Sequence, residues 1–160
     1  MTRPKKTTVF HAIAAQFALL STCERGHVGC VIVKDSRIIS SGYNGAPAGM
    51  PHCTDPGVGC DTIMLDPEPG VKAYQITTGC QRSIHAEANA LMYAARHGLS
   101  VDGATMFCTH GPCRACAQLM IAAGIAHVHY DRPYRLTDGL DLLDQAHVQT
   151  WQVSGDGDDV

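Results

Sequence analysis

The chain has 160 residues, the size of one ordinary domain, since domains usually contain ~100–200 residues. Hydrophobic residues make up 45% and charged residues 17%, a balance typical of globular proteins and unlike that of disordered or fibrous chains. The net charge of −3 argues against a protein that holds nucleic acid by bulk positive charge. No apolar run approaches the roughly 20 residues of a membrane helix, and no cleavage site follows the basic start at residues 1–6. We therefore expect a cytoplasmic protein without a nucleic-acid or membrane partner.

Hydrophobic periodicity and turn residues predict four helices and five strands. An amphipathic pattern predicts a first helix over residues 8–22, and a turn at 34–36 joins two strands in a hairpin. A loop rich in glycine and proline follows over 43–80. This order predicts a single α/β domain over residues 1–153, with three α/β/α layers and a mixed central sheet, and a flexible tail at 154–160. The strands are predicted at 27–33, 37–41, 104–108, 125–130 and 147–153, and the later helices at 84–97, 113–123 and 138–146.

Eight cysteines and nine histidines are the unusual part of the composition. In a small secreted chain, eight cysteines would predict disulfides. Here we recognise no signal peptide, and a chain of this length can bury a hydrophobic core without disulfide bonds. Metal binding in a reducing compartment is therefore the preferred interpretation, with disulfides as the alternative.

Two short motifs carry the predicted chemistry. A His-Ala-Glu motif at 85–87 opens one predicted helix, and a Pro-Cys-Arg-Ala-Cys motif at 112–116 opens the next. Two thiols at a helix N-terminus favour the thiolate form and can converge on one metal. With His85 as a third ligand, Cys113 and Cys116 leave one tetrahedral position open, which is the arrangement of catalytic zinc. Glu87 is not needed as a ligand and is placed to carry protons between water and substrate.

Each of these residues has a structural alternative when taken alone. Cys113 and Cys116 could form half of a zinc knuckle or a redox pair, and His85 could be a solvated residue at a helix start. Glu87 could simply complement the helix dipole. The combination, with each motif opening its own helix, favours the catalytic interpretation. His110, three residues before Cys113, raises the alternative of a closed, non-catalytic site.

His-x-Glu followed by Pro-Cys-x-x-Cys is the signature of zinc-dependent nucleobase deaminases. The chain also contains Gly-Tyr-Asn-Gly-Ala-Pro-Ala-Gly at 42–49, Ile-His-Ala-Glu-Ala-Asn-Ala at 84–90 and a Gly-Leu-x-Leu-Leu-x-x-Ala segment at 139–146. With these motifs it resembles the deoxycytidylate (dCMP) deaminases of the cytidine deaminase-like superfamily. The resemblance implies hydrolytic deamination of dCMP to dUMP and ammonia, which feeds dTTP synthesis. It also implies a zinc ion held by His85, Cys113 and Cys116, with Glu87 as proton shuttle.

The same resemblance extends to substrate binding. By similarity, Asn44 would hydrogen-bond the deoxyribose, with stabilisation of its own turn as the alternative. The substrate phosphate needs a cation or a nest of N–H groups, and Arg25 is preferred over His27 and Arg114. The remaining candidates for the substrate pocket are Ala86, Tyr134 and Tyr130, with simple packing as the alternative for the tyrosines.

A second metal site is implied in the long loop. Proteins that this chain resembles carry a structural zinc between a helix end, the loop and the segment before the His-Ala-Glu motif. Cys23, Cys53 and Cys80 occupy such places, and Cys60 is preferred over His52 as the fourth ligand. A metal there would offset the closure entropy of the loop, whereas free thiols or a disulfide are the alternatives. The last two cysteines fall in apolar strands and are predicted to be buried free thiols: Cys30 and Cys108.

Regulation and competing functions complete the predictions. Enzymes that resemble this chain are often homohexamers that dCTP activates and dTTP inhibits, with an effector-contacting arginine at the position of Arg96; a cation that complements the helix end is the alternative. Competing functions are another deaminase, including a competence-associated paralogue or one acting on methylated dCMP, and a non-catalytic zinc module that binds nucleotides. The acidic balance disfavours a tRNA substrate.

Overall fold

The helices and strands follow the predicted order. The computed structural model describes residues 3–62 and 79–153. The helices are α1 (Lys6–Ala18), α2 (Ala86–Arg96), α3 (Arg114–Ala122) and α4 (Asp138–Gln145). The strands are β1 (Gly29–Lys34), β2 (Arg37–Tyr43), β3 (Thr105–His110), β4 (His127–Arg132) and β5 (Gln149–Gln152). All the predicted elements are found in the described part of the chain, and only the end of α1 departs clearly from its expected place.

The five strands form one mixed sheet in the order β2-β1-β3-β4-β5. Strand β1 pairs antiparallel with both β2 and β3, whereas β3, β4 and β5 run parallel to one another. Each parallel step crosses through a helix, first α3 and then α4, because parallel neighbours cannot be joined by a tight turn. The carboxyl ends of β3 and β4 therefore meet at the same edge of the sheet.

Alternate residues of the central strands face two different helix layers. Val31 and Val33 of β1 pack with Phe107 of β3 against α1, in a core that includes Ala14. Ile32, between the two valines, faces the opposite side, where α2, α3 and α4 form the larger core. This alternation, together with the mixed strand directions, confirms the predicted three-layer α/β/α fold.

The first helix ends earlier than the sequence predicts. The apolar pattern, in which Leu20 is the last helically spaced position, predicts a helix through residue 22, but α1 ends at Ala18 and Leu20 is 55% exposed. After Ala18 the chain turns back toward the hairpin, where the backbone N–H of Thr22 donates to the carbonyl of Asn44 over 3.3 Å. Tertiary hydrogen bonding has thus overridden the local apolar pattern, and the predicted helix end at residue 22 is wrong.

The long predicted loop is only partly described. Its residues 63–78 lie outside the described residues, as does the predicted flexible tail at 154–160. On either side of the gap, the backbone N–H of Gln81 donates to the carbonyl of Asp61 over 2.7 Å. Gly45 and Ile84 exchange two backbone hydrogen bonds of 3.2 and 2.9 Å, which tie the end of the loop to the hairpin. Of the helices in the described ranges, none is both long and apolar enough to cross a membrane.

Helix α2 approaches β2 closely because the strand carries a glycine at the crossing. A Cβ atom on Gly42 would collide with the carbonyl oxygen of Ala86 and would lie 2.6 Å from the backbone nitrogen of Ala90. The hydroxyl of Ser40 donates to the carbonyl of Ala90 over 2.6 Å and stabilises the same approach. The first turn of α2 is therefore fixed against the sheet.

Replacement of Gly42 by alanine should destabilise the fold. The added methyl group meets backbone atoms that cannot rotate away, so we expect a loss of about 1–3 kcal/mol in the free energy of unfolding, measured by urea titration. Gly26→Ala is the matched control, because a Cβ there meets nothing within 4 Å. A loss of the same size in both variants would contradict the close approach as its cause.

Candidate active site

The N-terminal ends of α2 and α3 bring three metal-binding side chains together. His85 directly precedes α2, and Cys113 directly precedes α3. The Nδ1 atom of His85 lies 3.4 Å from the Sγ atom of Cys113 and 3.4 Å from that of Cys116. These three residues form one of two groups in the described part of the chain whose ligand atoms all lie within 4.8 Å of one another.

The spacing of the donor atoms fits zinc. Zn–S distances of about 2.3 Å and Zn–N distances of about 2.0–2.1 Å at a tetrahedral angle would separate nitrogen from sulfur by about 3.5 Å. The observed separations from His85 to Cys113 and Cys116 are 3.4 Å. His110 does not belong to this group, so the described residues offer no support for a closed site with His110 as fourth ligand.

The turn that carries Cys113 is held by α4. A Cβ atom on Gly139, in the first turn of α4, would collide with the carbonyl oxygen of Pro112 and lie 2.8 Å from the carbonyl carbon of Cys113. Only glycine allows α4 to come this close. The position of the thiol therefore depends on a helix that contributes no ligand itself.

Local electrostatics favour an ionised thiol at this point. A hydrogen bond from Cys116, with a further one from His85, lowers the pKa of Cys113 to about 4, although burial opposes this. The hydrogen bond with Cys113 in turn raises the pKa of His85, again against burial. Cys113 also stands at the N-terminus of α3, where the helix dipole stabilises an anion. The thiolate is the form of cysteine that binds metals.

Glu87 supplies a buried carboxyl beside these donors. It lies in the first turn of α2 and is 3% exposed. Burial raises its pKa to about 6. Glu87 is not part of the group of metal-binding atoms, but it lines the same cavity as His85 and Cys113. A carboxyl group with a pKa near neutrality can both accept and release a proton.

A cavity of about 260 Å³ opens over these residues. Its walls come from the segment before β1, the end of β2, the segment before α2 and the segments after β3 and β4. Four of the residues predicted to bind substrate line this cavity: Asn44, Arg25, Ala86 and Tyr134. The candidates that are not among its lining residues are His27, Arg114, Tyr130 and Arg96.

Asn44 joins the hairpin to the segment before β1. Its Oδ1 atom accepts from the backbone N–H of Val28 over 2.8 Å, and its Nδ2 atom donates to the carbonyl of Gly26 over 2.8 Å. The partners belong to another segment, so the side chain does not merely stabilise its own turn. An amide has two N–H groups and two lone pairs, so each end of Asn44 keeps capacity for a second hydrogen bond.

The structure adds lining residues that the sequence analysis did not identify. Arg135 follows β4 and lines the cavity, and its guanidinium carbon lies 5.6 Å from the centre of the Tyr134 ring. Ser83 also lines the cavity, as does His110, which the sequence analysis considered only as a possible ligand of a closed site. The strand order offered a signal for Arg135, because segments that follow neighbouring parallel strands meet at one edge of a sheet.

Four further cysteines form the second group of ligand atoms, as the resemblance implied. The group comprises Cys23, Cys53, Cys60 and Cys80, whereas His52 is not part of it. The sulfur atoms of Cys23 and Cys60 lie 3.7 Å apart, and those of Cys53 and Cys80 lie 3.5 Å apart. Tetrahedral Zn–S distances of about 2.3 Å would separate two sulfur atoms by about 3.8 Å, so the set fits zinc.

The remaining two cysteines face each other in the core. Cys30 of β1 and Cys108 of β3 are opposite one another in the antiparallel ladder, with their sulfur atoms 3.4 Å apart. Both side chains are fully buried, and burial raises the pKa of Cys30. The predicted pair of buried thiols is therefore found, and all eight cysteines of the chain are free of disulfides.

The sequence is similar to those of known deaminases over most of its length. Residues 4–131 match the family model described as the cytidine and deoxycytidylate deaminase zinc-binding region. The deoxycytidylate deaminase of Mycobacterium phage D29 is 43% identical over 134 residues, which cover 82% of this chain and 98% of the relative. ComE operon protein 2 of Bacillus subtilis (strain 168) is 39% identical over 148 residues, which cover 92% of this chain and 70% of the relative.

A solved structure agrees with the sequence comparisons. The crystal structure of dCMP deaminase from cyanophage S-TIM5 in complex with dCMP and dUMP matches with a TM-score of 0.75 at 32% identity, over 96% of this chain and 100% of that one. The chain belongs to the cytidine and deoxycytidylate deaminase family. The resemblance drawn from the motifs and the cytidine deaminase-like fold are both confirmed.

Proposed function

We propose that the protein catalyses the hydrolytic deamination of dCMP to dUMP and ammonia, and so supplies dUMP for dTTP synthesis. The observation that carries this proposal is the buried carboxyl of Glu87 beside the His85 and Cys113 donors, all three lining one cavity. The substrate is supported by the phage deoxycytidylate deaminase and by the related dCMP deaminase crystallised with dCMP and dUMP. We place the reaction in the cytoplasm, where a reducing environment keeps cysteine ligands as thiols.

Two zinc ions fit the donor sets of the described residues. His85, Cys113 and Cys116 would hold the catalytic ion. When bound, catalytic zinc activates a water molecule as nucleophile near neutral pH and polarises the reacting centre. The structural ion would be held by the second group, which comprises Cys23, Cys53, Cys60 and Cys80.

Glu87 is the proton carrier in this proposal. The reaction requires two proton transfers: one proton passes from the attacking water to N3 of the cytosine ring, where it remains in the uracil product, and the second passes from the same oxygen to the amino group, which leaves as ammonia. One group whose pKa is about 6 can perform each transfer, because it is neither permanently ionised nor permanently protonated at neutral pH. Its burial also keeps bulk water from competing for the proton.

The rest of the cavity suits a deoxynucleoside monophosphate. Asn44 keeps hydrogen-bonding capacity that can serve the deoxyribose, and its two bonds of 2.8 Å hold it in one orientation. Arg25 and Arg135 both line the cavity, and a guanidinium group there can pair with a phosphate. Ala86 and Tyr134 would contact the base and its surroundings.

The first experiment measures ammonia release from dCMP, CMP, deoxycytidine and dCTP by the zinc-loaded protein. We expect dCMP to be preferred, and Glu87→Gln to lower its turnover by about 10²–10⁴-fold while the zinc content stays unchanged. Asp144→Asn, the same change of charge on the exposed side of α4, is the control and should keep full activity. Full activity in Glu87→Gln, or loss of zinc from it, would show that the assigned role is wrong.

Arg135 should determine the preference for a phosphorylated substrate. Loss of a hydrogen bond to a charged group costs about 1.5–3 kcal/mol, so Arg135→Gln should raise the KM for dCMP about 10- to 150-fold. The kcat/KM for deoxycytidine should stay nearly constant, because this substrate has no phosphate. Arg37→Gln, on an exposed part of β2, is the control. Equal effects on both substrates would contradict a phosphate contact.

Because of the family resemblance, the proposal includes assembly into a homo-oligomer, a hexamer in particular. It also includes activation by dCTP and inhibition by dTTP. Arg96 is exposed in the last turn of α2 and does not line the cavity, so it is available to a separate effector site. We expect Arg96→Gln to keep its basal dCMP turnover but to lose activation by dCTP. An unchanged dCTP response in this variant would assign Arg96 only to the helix end.

The competing functions predict other outcomes of the substrate panel. The likeness to ComE operon protein 2 extends over 92% of this chain, so a function shared with that relative is the second candidate. With 5-methyl-dCMP added to the panel, a preference for it over dCMP would indicate a modified-nucleotide deaminase. Nucleotide binding with zinc present and no turnover of any substrate would indicate a binding module.

A further inference from the structure

We propose that the four-cysteine cluster (Cys23, Cys53, Cys60 and Cys80) positions the phosphate-binding side of the substrate cavity. Metal occupancy of the cluster then sets the affinity for a nucleoside monophosphate, whereas the reaction of bound substrate depends on α2 and α3. This inference rests on the proposed function. It assigns the cluster a role in recognition in addition to closure of the long loop.

The cluster and the substrate cavity share a wall. Cys23 and Cys80 belong to the cluster, and both also line the cavity together with His85 and Glu87. A metal ion that only closed the long loop would not require two of its ligands to lie at the substrate cavity. The position of these two cysteines therefore couples the geometry of the cluster to the shape of the cavity.

The first structural link between the cluster and the cavity runs from Cys23 to Arg25. The backbone N–H of Arg25 donates to the Cys23 sulfur, and Cys23 itself is buried. Arg25 lies two residues further along the chain and lines the cavity. The segment belongs to no helix or strand, so its shape depends on anchors at its two ends. Asn44 is the anchor at one end, through Gly26 and Val28, and the cluster is the anchor at the other.

The second structural link runs from Cys80 toward His85. Backbone N–H groups of Arg82 and Ser83 donate to the Cys80 sulfur, and Ser83 lines the cavity. The position of this segment does not depend on the cluster alone, because Ile84, immediately before His85, exchanges two backbone hydrogen bonds with Gly45. Loss of the cluster should therefore disturb the Arg25 side of the cavity more than the position of His85.

The test is Cys60→Ser, since Cys60 belongs to the cluster and does not line the cavity. We expect zinc content to fall from two ions to one per chain, the KM for dCMP to rise at least tenfold, and kcat to change less than twofold. The kcat/KM for deoxycytidine should not change. His52→Ala, next to Cys53 and outside the cluster, is the matched control and should leave all four quantities unchanged.

Binding measurements give a readout that does not depend on turnover. By calorimetry, Cys60→Ser should weaken binding of dUMP at least tenfold and leave binding of deoxyuridine unchanged. If the cluster acts through Arg25, Arg25→Gln should weaken dUMP binding in the wild-type background and add almost nothing in Cys60→Ser. Independent, additive losses would overturn the coupling to Arg25.

The remaining outcomes separate this inference from the proposed function. If wild-type protein turns over no dCMP, the proposed function fails, and the dUMP calorimetry still decides the inference. If wild-type protein deaminates dCMP but Cys60→Ser binds dUMP normally with one zinc ion, only the inference fails. Should Cys60→Ser not fold, Cys60→Asp, which keeps a weaker ligand, allows dUMP affinity to be measured as zinc is titrated. An affinity independent of cluster occupancy would overturn the inference.

Discussion

The close approach of helices to backbone at two glycines allows side chains from distant parts of the chain to meet. Gly42 allows α2 to pack closely against β2, and Gly139 allows α4 to pack closely against the turn that carries Cys113. Because His85 and Cys113 directly precede their helices, a shift of either helix by the width of a methyl group would separate donor atoms that now lie 3.4 Å apart. The same placement puts Cys113 at a helix N-terminus, where the helix dipole favours the ionised form of its thiol.

The grouping of His85, Cys113 and Cys116 beside Glu87 could be predicted from the sequence because its information is local. The motif spacings place Cys113 and Cys116 one turn apart at a helix start and Glu87 in the first turn of α2, and the structure keeps all three there. The first helix was predicted to extend to residue 22, too far by four residues, because the backbone hydrogen bond between Thr22 and Asn44 draws the chain away from the helical path. An apolar pattern carries no information about such a tertiary bond.

The cavity wall was less predictable, because it is assembled from loops. Arg135 lies in a segment without periodicity, and only the parallel pairing of β3 with β4 brings it beside the Cys113 turn. The preference for Cys60 over His52 followed from the frequency of four-cysteine zinc sites, and only the three-dimensional positions of sulfur atoms far apart in the sequence group Cys60 with the other three cysteines. Long-range contacts of this kind have no signature in local residue spacing.

The segment after β4 contributes Tyr134 and Arg135 to the cavity but no ligand to either group of metal-binding residues. This part of the cavity wall is therefore encoded apart from the metal-binding residues. Substitution within residues 133–137 can reshape the cavity while the metal motifs stay unchanged. Such a division gives a simple evolutionary route by which members of one family, whose description names both cytidine and deoxycytidylate deaminases, can differ in substrate.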